Sequence, residues 1–74
     1  MPEPQEKIPL EPGDVVVRWM ELDSWRAAGP ERTRYEWQVE RYEADRQLAH
    51  VRRGQERRSF PVRLLAYVGR AHDT

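Results

Sequence analysis

Apolar and polar positions alternate with a period of two along much of the chain, and that alternation predicts strands. The strongest run is Val15, Val16, Val17, Arg18, Trp19, Met20, entered through a Gly13-Asp14 turn. Its β-branched residues suit the pleated surface of a sheet. Val15, Val17 and Trp19 would share one face and Val16, Arg18 and Met20 the other, so both faces are partly apolar. A strand of this kind belongs where a sheet bends or passes beneath an arm of chain. Residues 21–32 read as a connection. Ser24 is placed to cap a single helical turn through Trp25, Arg26, Ala27 and Ala28, Gly29 supplies a left-handed exit, and Pro30 forbids continuation.

From Thr33 to Arg53 two readings compete. Thr33 and Glu36 match the spacing of a capping box, the segment is rich in good helix formers, and Gly54 stands where a helix would stop. On a helix, however, Tyr35, Val39, Tyr42 and Ala49 fall within about 40° of one direction, while Trp37, Ala44, Leu48 and Val51 fall on the opposite side. A lone helix would leave one of these stripes in water. As strands, Tyr35, Trp37 and Val39 face one way and Arg34, Glu36, Gln38 and Glu40 the other, a cleaner period of two. Ala44, Asp45 and Arg46 would then turn the chain and Leu48 to Arg53 would return beside it, so a hairpin is expected. Gly54-Gln55-Glu56 forms a second turn. Arg57 to Val62 follows as a short strand with Phe60 and Val62 inward. Pro61 has no N–H for a ladder, so this strand should lie at an edge or end there. Arg63 to Val68 reads as a helical turn running into a closing strand.

These elements group into a proline-rich arm (1–12, four of the six prolines), one domain (13–69) and a short tail (70–74). Pro9-Leu10-Glu11-Pro12 matches a PxxP pattern nominally, and a plain linker is the simpler reading. A Gly-Asp turn into a valine strand, a long connection, two strands joined by tight turns, and a closing Phe60-Pro61-Val62 followed by Leu64-Leu65 resemble the small Tudor-type or SH3-like β-barrels over residues 13–68. The resemblance implies a mostly β fold, a five-stranded barrel or curled antiparallel sheet with one short helical turn, and a role in binding. It carries over no site residue. The peptide-binding subgroup displays an aromatic cluster on its first long loop, whereas Trp25 is the only aromatic between residues 21 and 34, so recognition of proline-rich peptides is not expected.

Composition narrows the function. A chain of 74 residues, 38% of them hydrophobic, supports one core at most, since a domain of this size buries only roughly 60% of its unfolded surface. An enclosed active site does not fit, and no small-molecule substrate or cofactor is expected. The absence of cysteine removes disulfides, thiolate metal sites and cysteine nucleophiles, and a domain without such staples suits the cytoplasm. No apolar run approaches the roughly 20 residues of a membrane span, and Met1 to Glu6 show neither a basic leader nor an apolar signal region, so neither insertion nor export is expected.

Thirteen basic and thirteen acidic side chains cancel, with twelve of the basic ones arginine. Four arginines, Arg52, Arg53, Arg57 and Arg58, flank the Gly54 turn. Guanidinium forks match phosphate oxygens and stack on bases, so this tip is the candidate for RNA or DNA contact. The competing reading is a solvated face of Arg-Glu pairs, favoured by the zero net charge. Seven aromatic rings are too many for so small a core to hide. Trp25, in the long connection, and Tyr42, on the polar side of its strand, are the candidates for exposed partner-binding rings. For Trp25 the alternative is a lid folded over the core. His50 with Ser59 and an acid such as Asp45 is the only catalytic constellation in view, and no nucleophile elbow precedes the serine. His72-Asp73 lacks a third metal ligand, and the glycines at 13, 29, 54 and 69 form no phosphate loop. The expectation is therefore a non-enzymatic module for protein–protein interaction, as a homodimer or accessory subunit, with nucleic-acid contact as the alternative.

Overall fold

The valine run forms β1 (Asp14–Arg18), an interior strand of a single sheet, in a computed structural model that describes residues 9–70. Four more strands follow: β2 (Trp37–Glu43), β3 (Leu48–Arg53), β4 (Glu56–Pro61) and β5 (Leu65–Arg70). They are ordered β4-β3-β2-β1-β5, and every pairing is antiparallel. The sheet curls without closing into a barrel, leaving β4 and β5 at its margins. Trp37 to Arg53 is thus a hairpin rather than a helix, and only Thr33 to Tyr35 of the disputed segment is helical. The proline placed β4 correctly: the strand is an edge and stops at Pro61.

Between β1 and β2 the chain makes a 3-10 turn (Trp19–Glu21), the helix α1 (Leu22–Ala27) and a second 3-10 stretch (Gly29–Tyr35). Ser24 lies inside α1, which begins at Leu22 and has no side-chain cap. Gly29 does take a left-handed conformation, with φ of 60°. Pro30 ends the α-helix but not the helical path, because a proline in the first turn of a helix lacks only an N–H that would have no partner there.

Apolar layers cover both sides of the sheet. On one face Val16, Trp37, Val39, Ala49, Val51 and Leu65 bury each other together with Leu10, with Tyr42, Phe60, Val62 and Tyr67 at the edges. On the other, Val17 and Ala66 are covered by Leu22 and Trp25 of α1, flanked by Tyr35 and Val68. Leu22 and Trp25 are three apart, so one side of the short helix carries both. Leu10 is buried, so the end of the arm belongs to the core; the rest of the arm, 1–8, lies outside the described residues. Asp14 holds this junction from a fully buried position, its Oδ2 accepting the Glu11 N–H at 2.9 Å, while the Gly13 N–H donates to the Val39 carbonyl.

Tyr35 was expected to share a face with Trp37 and Val39. It does not, because the 3-10 stretch persists through Tyr35 and alternation begins only at Trp37. β5 continues to Arg70, so the closing strand runs into the segment expected to be tail; His72-Asp73 falls outside the described residues.

Candidate functional site

Neither ring expected to be exposed is free. Trp25 is 6% exposed, its indole N–H donates to Glu36 Oε2 at 2.8 Å, and the Arg32 guanidinium lies 5.5 Å from its ring centre. The lid reading of Trp25 is the one the fold adopts: with so few apolar residues, α1 must use its largest ring to cover Val17 and Ala66. Tyr42 is half-buried against the first layer. Its displacement has a specific cause. The β2–β3 register slips between Val39 and Arg41, a bulge that adds one residue and reverses the alternation, so Tyr42 lies opposite Ala49 and turns toward the core.

Among the described residues, the large apolar side chains that do face water are Trp19, Met20 and Leu64, at 42%, 76% and 46% exposure. Trp19 and Met20 follow β1 and Leu64 precedes β5, and the pairing of Arg18 with Leu65 brings all three to the same end of the sheet. Sequence reasoning placed Trp19 and Met20 inside β1. The strand ends at Arg18 and a 3-10 turn lifts them out of the ladder, with no proline or glycine to signal it.

The four arginines of the β3–β4 hairpin come to one end of the sheet but not to one face. Arg52 and Arg57 are direct cross-strand partners on the side away from the first apolar layer, and Arg53 and Arg58 point to the other side, since neighbours along a strand alternate. Two glutamates serve all four. Glu40 lies 3.8 Å from Arg52 and 3.5 Å from Arg57, and Glu56 lies 3.2 Å from Arg53 and 2.8 Å from Arg58. Arg53 is fixed further: its guanidinium covers the Trp37 ring at 4.1 Å and donates to the Arg34 carbonyl at 2.8 Å. Trp37 meets Phe60 edge-on at 5.4 Å, and Arg18 lies over Phe60. Arg53 is therefore built into the packing, whereas Arg52 and Arg57 present their charge to solvent.

On that same outward side a second polar cluster forms. Ser59 Oγ and His50 Nδ1 are 2.8 Å apart, and His50 Nε2 is 3.2 Å from Arg41 and 3.5 Å from Glu43. The serine and histidine do meet, but the neighbouring acid is Glu43 rather than Asp45, and Arg41 and Arg46 both compete for its carboxylate.

Two concavities lie where the α1–β2 connection meets the sheet. One, about 220 Å³, is lined by Val15, Trp25, Arg32, Glu36, Val68 and neighbours; the other, about 290 Å³, involves Thr33, Gln38, Arg52 and Arg53. Val15 and Glu36 line both, and neither includes His50, Ser59 or Glu43. Among the described residues no group of three or more metal-ligating side chains converges, and no helix is long and apolar enough to cross a membrane. Comparison of the chain with protein-family models, with curated proteins and with solved structures found no match in any of the three.

Proposed function

We propose that this chain is a non-enzymatic protein-binding module whose contact surface includes the Trp19–Met20–Leu64 corner. The observation that carries the reading is the exposure of three large apolar side chains at one end of a domain whose remaining surface is dominated by charge. A small chain gains about 25 cal/mol for each Å² of apolar surface removed from water, and a partner seated on this corner would supply that burial. The short strands, tight turns and 3-10 turn before β5 support the likeness to Tudor-type and SH3-like binding domains. The polar surroundings of His50 favour a structural cluster over catalysis, because Arg41 occupies the ring nitrogen not facing Ser59.

A photo-reactive residue in place of Met20 tests the surface in the native host, with one in place of Gln55, in the β3–β4 turn, as control. We expect a discrete adduct from position 20 that is absent from position 55 and lost on Trp19→Ser with Leu64→Ser. No adduct from position 20, or the same adducts from both positions, would overturn the reading. Sedimentation of the pure protein then decides whether the partner is a second copy.

A further inference from the structure

A row of residues crosses all five strands on the face that α1 covers in part, and its chemistry points to a particular partner. Gly69 of β5 pairs with Val15 of β1, Val15 with Gln38 of β2, Gln38 with Arg52 of β3, and Arg52 with Arg57 of β4. Residues directly opposite one another point to the same side of a sheet. The row therefore begins low, at a glycine and a half-buried valine, and rises to two exposed arginines. Trp25, Arg32, Thr33 and Glu36 wall its low end, and the two concavities that share Val15 and Glu36 are the floor between wall and strands. Four strand spacings of about 4.8 Å make the row roughly 19 Å long, the length of about six residues of extended chain, with the concavities reaching from Gly69 to Arg52 and Arg57 at its open end.

Charge in this trough is predominantly positive. Arg32, Arg52 and Arg70 line the concavities and Arg57 ends the row, against two carboxylates: Glu36, which is already committed to the Trp25 indole, and Glu40, which lies between Arg52 and Arg57. The acids that neutralise Arg70, namely Glu11 and Asp14, stand outside the lining. Arg32 faces no carboxylate within ion-pair distance among the described residues; its contact is with the Trp25 ring. Donors thus outnumber acceptors along the trough, and an occupant rich in acceptors fits.

Carboxylates fit better than a nucleic-acid strand. Single-stranded nucleic acid draws much of its affinity from bases stacked on open aromatic faces. Here Trp25 is buried beneath Arg32, and Trp37 is covered by Arg53. The apolar floor at Val15 and Val68 suits an aliphatic side chain between acidic ones. We infer that the Gly69–Val15–Gln38–Arg52–Arg57 row is a docking trough for an extended acidic segment of a partner protein. The inference rests on the reading of the chain as a protein-binding module and adds the chemistry of the partner at a second surface.

Amide-shift titration of the full chain tests it, using a six-residue peptide of alternating acidic and aliphatic residues, its lysine counterpart, and a six-nucleotide single strand. The acidic peptide should move the amides of Val15, Gln38, Arg52, Arg57 and Gly69, and the lysine peptide should not. Binding should weaken with added salt, and Arg32→Ala with Arg52→Ala together should loosen it about tenfold, equivalent to 1.4 kcal/mol. Both side chains are exposed, and an otherwise unchanged spectrum confirms that the variant is folded. The inference is overturned if the row stays silent at millimolar acidic peptide, if the double variant binds equally well, or if the oligonucleotide moves the same amides at lower concentration. The adduct at position 20 reports on the apolar corner alone, so failure here and failure of the protein-binding reading are separate results.

Discussion

Gln47, which closes the turn between β2 and β3, has φ of 48°, the one positive value at a non-glycine residue among those described. Its N–H still donates to the Ala44 carbonyl at 3.2 Å, so the left-handed conformation is held by the turn. A side chain there costs about 1 kcal/mol or more; glycine would remove that strain and lose part of the gain to the greater freedom of its unfolded chain. Gln47→Gly is expected to stabilise the domain by roughly 0.5 kcal/mol, and Gln47→Val, with its branched Cβ, to destabilise it by about 1 kcal/mol. Urea denaturation read by tryptophan fluorescence separates the two, and equal midpoints would mean that the turn is unstrained. A related local feature hid Tyr42 from sequence reasoning. One added residue at the β2 bulge inverts every later position on the strand, and nothing in Val39-Glu40-Arg41 announces it. Trp37, Val39 and Phe60 precede or avoid the bulge, and their inward assignment was legible.

Elements with strong alternation were readable, and those held by contacts distant in sequence were not. The β2–β3 hairpin could be chosen over a helix because its apolar residues would lie on opposite sides of a cylinder but largely on one side of a ribbon. The 3-10 stretch Gly29–Tyr35 has no apolar period, since it is held by packing of Tyr35 against the second layer and by the Glu36 bond to Trp25. That bond makes α1 testable. Trp25→Ala uncovers Val17 and Ala66 and is expected to cost about 3–5 kcal/mol, most of what a domain of this size possesses. Trp25→Phe keeps most of the ring and forfeits the hydrogen bond, for about 1 kcal/mol. Thermal unfolding of the two variants ranks them, and a mild Trp25→Ala would show that the helix merely rests on the sheet.

Across the whole molecule, ion pairs are numerous and individually weak. Glu40, Glu43 and Glu56 each serve two arginines, and all of these side chains keep a quarter or more of their surface in water. Exposed pairs contribute about 0–1 kcal/mol each and are screened by salt. Raising sodium chloride from 0.05 to 0.5 M is therefore expected to change the unfolding free energy by less than about 1 kcal/mol, measured from urea midpoints at both salts. A much larger loss would mean that the arginine–glutamate lattice, and not the apolar layers, holds the strands together. The layers meet at β1, where Val16 serves one and Val17 the other. Those adjacent valines make the strand a shared keel: loosening the planking on either side lets the frame rock against the opposite side as well. Neither half of so small a vessel has a hull of its own, and injury to the helix should be felt at the far hairpin.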